Sequence, residues 1–379
     1  MRIAHIIPDF RETFRRYDSE TPEFHASVRA LLSGFALCPE SEVHVVSCFQ
    51  RPVRSPDRLF PNVRFHALHV PKSGWLRTGY QGCVRATRAA LKEIRPDIVH
   101  GQGTERYCAI SAVLSGFPNL VTVRGNMRQV ARVVRAKPLT YFWLTAILER
   151  LTLPRTQGII CISRYARDQV AGLNPKTWLA PNAAEPEFYE VCREAREPRL
   201  LCVSDIVEYK NQVSLIRALD ELHSRRDFTL VLVGRLLPDS DYGKTFLREV
   251  QSRPWCRYDG LAGREQMKGL LAGATALVHP SLEDNCPMAV VEAMAAGVPV
   301  AASRIGGIPD LIEDGVTGLL FDPNDASDIR WAARRLLEDA PLAERFARTA
   351  RERAMTQYHP RAIAERHLEI YREVLGAGR

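Results

Sequence analysis

Short runs rich in Val and Ile, each followed by a stretch of helical periodicity, recur along this chain, and that alternation restricts its fold more than any other feature. RIAHII (2–7), VHVVSC (43–48), DIVH (97–100), NLVTV (119–123) and GIICI (158–162) are short and largely apolar. Such runs read as strands buried on both faces, and helices alternating with them require crossover connections, hence a parallel sheet. A loop rich in Pro, Asn and Glu, PNAAEPEFYEVCREAREP (181–198), interrupts the series. RLLCVS (199–204), FTLVLVG (228–234), TALVHP (275–280) and VPVAAS (298–303) then begin it again. The predicted architecture is α/β, two Rossmann-like domains facing a cleft. Expected bounds are 1–190 and 191–359, with a C-terminal helix at about 360–379 that either caps the second domain or returns to pack on the first. The 379-residue length agrees, because a single hydrophobic core stops growing at roughly 250–300 residues.

Charge narrows the choice of partner. The net +8 invites an anion, and it is uneven: residues 1–190 hold 26 Lys plus Arg against 16 Asp plus Glu (+10), residues 191–379 hold 26 against 28 (−2). Arg124, Arg128, Arg132, Arg135 and Lys137 recur at near-helical spacing, so most would share one face of a helix starting near Asn126. PLTYFWLTAILERLTL (138–153) follows, with Tyr141, Phe142 and Trp143. One reading is a solvated basic face beside core aromatics; the other is a first domain that lies on an anionic membrane surface. Nucleic acid is not expected as a partner, since no helix-turn-helix, RNA-binding or zinc-finger signature is present. Nine cysteines, the closest two ten residues apart, form no C-x-x-C pair and suit a reducing compartment. The N-terminal apolar run ends at Asp9, too soon for a secretory signal, and no stretch approaches the ~20 apolar residues of a membrane span. A cytoplasmic location is expected, peripheral at the inner membrane face if the second reading holds.

The chemistry concentrates in HPSLEDNCPMAVVEAMAAGVPVAASRIGGIPDLIEDGVTGLLFDP, residues 279–323. A strand ends at His279, a polar loop holds Ser281 to Asn285, and Pro287 opens an apolar helix that stops at Gly297. Proline suits the first helical position because its missing N–H would be unpaired there anyway. Free N–H groups and the positive dipole end at residues 286–289 offer a phosphate site. Glu292 lies about five residues into the helix, roughly 7 Å along it, and helical side chains lean toward the N-terminus. Its carboxylate therefore points back at the docked anion, at a distance that suits an attached ribose diol. Val290, Val291, Ala293, Met294 and Ala295 surround it in sequence, and a lone carboxylate among such residues requires a partner. Asp284, eight positions earlier, would reach the other side of the phosphates.

These residues resemble the signature of the retaining GT-B glycosyltransferases of family 4: an acidic residue, seven intervening residues, a Glu, then A-x-A-x-G-x-P-V. Here they are Asp284, Glu292 and AMAAGVPV (293–300), followed by Gly306 and Gly307. The likeness covers nearly the whole chain in layout and is specific mainly from about 199 to 323. It implies that Glu292 binds the ribose hydroxyls of a nucleoside diphosphate sugar. Asp284, with Glu283 beside it, would bind the transferred sugar, and the backbone of Asn285, Cys286, Pro287 and Met288 would surround the phosphates. Lys210, in VSDIVEYKNQ, matches the lysine that contacts the diphosphate, where a compact ammonium offsets charge building on the leaving group. Gly260, in YDGLAG, falls in the loop whose backbone meets the base.

On the acceptor side, DIVHGQGTER and NLVTVRGNMR supply His100, Gln102, Arg124 and Asn126. Gln102 stands at a common His position, and Arg124 replaces the His that ends the next strand. Arginine does not deprotonate in proteins, so Arg124 can steady phosphate charge but cannot act as a base. Ser204 and Asp205 stand where the family has Gly-Arg, and the first βα loop (6–24) lacks paired glycines, with Arg15 and Arg16 the charges at hand. The resemblance implies a metal-independent, retaining transfer of a hexose-type sugar to a hydroxyl of a glycan or lipid-linked acceptor, as in polysaccharide or glycoconjugate synthesis. No cofactor is expected, and no His, Cys or carboxylate cluster has metal-ligand spacing. Two alternatives stay open: a nucleotide-sugar epimerase or hydrolase on the same fold, and a sugar- or partner-binding protein that has lost turnover.

Overall fold

The computed structural model describes residues 1–133, 135–194 and 197–376. Residues 195–196 of the expected linker and 377–379 of the expected C-terminal helix lie outside the described residues. The chain divides into two units, Met1–Asn182 together with the chain from Pro360 onward, and Ala183–His359. The division falls after Asn182 rather than at 190 because the next residues are tied to the second unit. Ala184 donates its N–H to the Tyr358 carbonyl at 3.1 Å, and Glu194 donates to that of Ala272 at 2.7 Å. Counted by unit, the first carries 30 Lys plus Arg against 16 Asp plus Glu (+14) and the second 22 against 28 (−6).

The first unit is built on eight strands: β1 (Arg2–Ile6), β2 (Glu42–Phe49), β3 (Arg58–Phe60), β4 (Val63–His69), β5 (Ile98–Gln102), β6 (Asn119–Val123), β7 (Ile159–Cys161) and β8 (Thr177–Leu179). They lie in the order β3-β4-β2-β1-β5-β6-β7-β8, parallel except for β3. The second unit holds β9 (Arg199–Val203), β10 (Thr229–Val233), β11 (Cys256–Tyr258), β12 (Ala276–His279), β13 (Val300–Ser303) and β14 (Leu319–Phe321). Their order is β11-β10-β9-β12-β13-β14, parallel throughout. Every residue of β5, β6, β12 and β13 is buried, as continuous apolar runs in two-sided sheets require.

Strand order reverses between β1 and β5 in one sheet and between β9 and β12 in the other. In open parallel sheets a crevice opens at the carboxyl ends of such neighbours, because their crossovers leave in opposite directions. The loops after β9 and β12 carry Lys210 and Asp284, so the topology alone places them together.

The C-terminal helix Pro360–Gly376 packs on the first unit, against the helix Ala26–Ala36. Phe35 and Tyr371 stack with parallel rings, centroids 6.4 Å apart. The first βα loop, without paired glycines, is pinned by Arg11 instead. That fully buried guanidinium pairs with Asp9 at 2.9 Å, donates to the Ser19 carbonyl at 2.8 Å and to Ser55 Oγ at 2.9 Å, and stands over the Phe49 ring. Arg16 is turned to Glu23 at 3.0 Å, and Arg15 caps a short helix in a left-handed conformation.

Candidate active site

In the second unit, Lys210 closes a short turn, Glu208–Lys210, just after β9. Its ammonium donates to Asp284 Oδ2 in the loop after β12. The same oxygen lies 2.8 Å from His279 Nε2 and 3.3 Å from Ser281 Oγ, and since a carboxylate only accepts, both are donors to it. Asp284 Oδ1 accepts the Asn285 N–H at 3.1 Å. Burial works to raise the Asp284 pKa, but the His279 hydrogen bond and the Lys210 charge outweigh it and hold the group well below the usual carboxylate range. Its main chain is fixed as well: the Gly307 N–H donates to the Asp284 carbonyl at 3.0 Å. A Cβ on Gly306, whose φ is +55°, would lie 2.0 Å from that carbonyl oxygen, so a glycine here lets these loops touch.

The helix begins at Met288 and Pro287 is its N-cap, not its first helical residue, because ψ of 122° keeps Pro287 extended. No side chain caps this end, so its leading N–H groups face the loop of Asp284. Cys286 is buried beneath it, while Glu283 and Asn285 are half-buried. Glu292 is 4% exposed. The partner that it requires is Arg264, at the start of the helix Arg264–Ala272, with Nη1 3.1 Å from Glu292 Oε1. Gly260 takes φ +75° in the loop after β11 and its carbonyl accepts the Gly234 N–H at 2.8 Å. Gly234, at φ +152°, lies so near Ser204 that a Cβ would meet its carbonyl oxygen at 1.8 Å. The loops after β9, β10 and β11 are thus layered against one another. Asp205, where the family has arginine, pairs at 2.6 Å with Arg235 of the β10 loop.

In the first unit, Arg124 leaves the end of β6 and donates to Ser27 Oγ (2.8 Å), Asn182 Oδ1 (2.7 Å) and Gln102 Oε1 (2.8 Å). The acceptor-side placement expected of His100 and Gln102 is not what the structure has. His100 is fully buried, Nδ1 2.6 Å from the Tyr371 hydroxyl and Nε2 2.6 Å from Thr122 Oγ1. The returning C-terminal helix supplies Tyr371 and covers it. Gln102, also buried, bridges Arg124 to His5 Nδ1 at 2.9 Å. Asn126 caps the next helix, accepting the Gln129 N–H at 3.0 Å.

That helix is only Met127–Val133, so the basic residues do not share one long face. Arg128 turns inward to Glu149, a fully buried carboxylate that also accepts the Met127 N–H at 3.0 Å and the Thr104 hydroxyl at 2.6 Å. Arg132, Arg135 and Lys137 remain exposed. Exposed too are Leu139 (78%), Tyr141, Phe142, Ile147 and Leu151, so these apolar residues are not core. No helix among the described residues is long and apolar enough to cross a membrane, and none of their His, Cys, Asp and Glu groups could hold a metal.

Sequence reasoning named Lys210, Asp284 and Glu292 but not the contacts that His279, Ser281, Arg264 and Arg235 make in this region. The demand of Glu292 for a partner was a signal for a buried cation, but nothing in sequence order named Arg264.

Two family domains match the chain in succession: Glycosyltransferase Family 4 over residues 39–188 and Glycosyl transferases group 1 over residues 189–353. Together with the two Rossmann-like units and the loops at the β9/β12 reversal, they define the class: the protein is a glycosyltransferase of the GT-B fold. The chain belongs to the glycosyltransferases of the group 1 and family 4 type. It is 25% identical over 356 residues to the alpha-maltose-1-phosphate synthase of Mycolicibacterium smegmatis, covering 83% of this chain and 91% of that one. It is 29% identical over 180 residues to the N-acetyl-alpha-D-glucosaminyl L-malate synthase of Bacillus anthracis, covering 47% and 46%. Among solved structures, sucrose-phosphate synthase of Thermosynechococcus elongatus superposes with a TM-score of 0.77 at 21% identity over all of both chains. Anabaena HepE in complex with UDP and glucose gives 0.69 at 16% identity, over 98% of this chain and 100% of that one.

Proposed function

We propose that this glycosyltransferase moves a hexose-type sugar from a nucleoside diphosphate sugar to a hydroxyl of a glycan or lipid-linked acceptor, with retention of configuration and without a metal, in polysaccharide or glycoconjugate synthesis. The observation that carries this reading is the Lys210–Asp284 contact in front of the uncapped N-terminus of Met288–Ala295. A diphosphate seated there meets backbone N–H groups from one side and the Lys210 ammonium from the other, while Glu292 addresses the ribose. Asp284 holds Lys210 in place and presents Oδ1 toward the transferred sugar. The UDP and glucose in the Anabaena structure support a nucleotide-sugar donor.

In the reaction the bond from sugar C1 to the β-phosphate oxygen breaks and its electron pair leaves with the phosphate, where Lys210 offsets the growing charge. The acceptor oxygen bonds to C1 from the face just vacated. Its proton passes to the departing phosphate oxygen, so no protein base is needed. Arg124, which donates to Ser27, Asn182 and Gln102, is a fixed cation of the acceptor unit. The experiment is a thermal-unfolding screen with UDP-, GDP- and ADP-sugars. A ligand at 100 times its Kd adds ~2.7 kcal/mol to stability. One of the three is expected to stabilise the parent and to lose that effect in Glu292→Ala. Stabilisation by none, or by all equally in parent and variant, contradicts the reading. Turnover is expected to continue in excess EDTA.

We place the acceptor unit at an anionic membrane surface. The support is its +14 charge and the exposed Leu139, Phe142, Ile147 and Leu151 among the exposed Arg132, Arg135, Lys137 and Arg150. Each basic residue near such a surface contributes ≈ 1 kcal/mol. Co-sedimentation with liposomes should rise with anionic lipid content, fall with salt and weaken in Leu139→Asp/Phe142→Asp. Binding indifferent to lipid charge contradicts it.

A further inference from the structure

Arg264 is held on several sides in the second unit. Nη1 donates to Glu292 Oε1 at 3.1 Å, Nη2 pairs with Glu185 Oε2, and Nε lies 4.0 Å from Glu187 Oε1. The two Glu185 and Glu187 contacts are charge pairs without hydrogen-bond alignment, so they fix the guanidinium by field more than by direction. Orientation comes from Phe188, a fully buried ring whose centroid is 4.3 Å from the guanidinium carbon, a cation–π contact. The segment Glu185–Phe188 is a short strap of chain ahead of β9, and its one turn, Pro186–Phe188, starts with a proline. Glu185 and Glu292 are each 4% exposed, so two buried carboxylates from distant segments share one cation. Taking a carboxylate out of water is unfavourable unless a cation accompanies it, and Arg264 serves both.

We propose that Arg264 is the positioning residue of the donor site: anchored by Glu185, Glu187 and Phe188, it aims the Glu292 carboxylate at the ribose diol of the nucleoside diphosphate. A carboxylate has about four acceptor positions, so the bond from Arg264 sets the plane of the group and still lets it receive two hydroxyls. The effect is on binding the ribose, not on the bond-making step. This rests on the reading of Glu292 as the ribose ligand.

The test compares a ribonucleoside diphosphate, whichever of UDP, GDP and ADP binds the parent, with its 2′,3′-dideoxy analogue, by calorimetric Kd. The parent should prefer the ribo form at least tenfold. Arg264→Gln should weaken the ribo form 10- to 50-fold and the dideoxy form less than twofold, so that the preference collapses. Arg264→Lys should recover most of it, and Glu185→Gln, which leaves Glu292 and Arg264 in place, should lose part of it. With nucleotide sugar the same variants should raise donor KM far more than they lower kcat. Equal loss for both nucleotides, or none for either, overturns the proposal, and an unfolded Arg264→Gln leaves Glu185→Gln and Arg264→Lys to decide it by the same ratio. A parent without ribo preference overturns it as well, by removing the ribose role of Glu292 before any Arg264 variant is measured.

Discussion

Lys210→Ala is expected to lower kcat/KM for the donor about 10²–10³-fold, the range seen when one preorganised donor to a developing anion is removed. The ammonium is a compact charge in a site where its side chain and that of Asp284 are mostly buried, so water replaces it poorly. Its loss also strips a cation from Asp284, whose Oδ2 then relies on His279 and Ser281. A fall in stability of roughly 1–3 kcal/mol should therefore accompany the fall in rate. Asp284→Asn should cost rate as well, and the double variant should fall well short of the product of the two single losses, because groups acting as a unit are not additive. Initial rates with each protein, below its own unfolding midpoint, check this. Additive losses would mean that the contact is incidental.

Acid should unfold the first unit steeply. His5, His100 and His367 are all buried, and burial lowers all three, with Arg124 adding to each, His367 adding to His5, and His5 and His367 both adding to His100: His5 falls to about 3, His367 to about 4, and His100 well below 6.5. In the unfolded chain each takes up its proton near 6.5. Below that pH the unfolded state binds more protons than the folded one, so stability is full above 6.5 and is lost as pH falls toward the folded values. One histidine gives about 1.4 kcal/mol per pH unit, and three together about 4. The slope is only half of this at pH 6.5 itself, so the loss between pH 6.5 and 5.5 is about 3 kcal/mol, a large part of an ordinary domain stability of 5–15 kcal/mol. Denaturant titrations at pH 7 and 5.5 measure it, and His367→Gln should flatten the slope by about a third. A flat response would show that the three rings are hydrated.

Which parts were legible follows from what each residue depends on. β5, β6, β12 and β13 could be read because a strand buried on both faces is a short, largely apolar run without alternation. β4 could not: VRFHALH alternates buried and open positions near a sheet edge, so Arg64 and His66 masked it. β11 and β14 have three residues each, too few for any period to appear. Asp284 and Glu292 stand in a motif whose spacing is fixed by one strand end and one helix, and Lys210 sits in the loop just after another apolar strand. Arg264 and His279 acquire their roles only through folding, which brings residue 264 to 292 and turns the last residue of β12 toward its own loop. His100 misled for the same reason in reverse. Its place at the end of a strand suggested an accessible ring, and the cover, Tyr371, comes from 271 residues further on. The basic run misled because Glu149, 21 residues after Arg128, draws that arginine inward.

The central claim is a sugar transfer that keeps the anomeric configuration, and the most direct measurement follows the anomeric proton of the product by NMR. The protein is incubated with the nucleotide sugar that stabilises it and an accepting glycan or lipid-linked hydroxyl, and the C1 coupling of donor and product are compared as the product forms. The expected product is a new glycosidic linkage of the same configuration as the donor, with one nucleoside diphosphate released for each linkage made. An inverted linkage, or nucleotide released with only free or epimerised sugar, would contradict it.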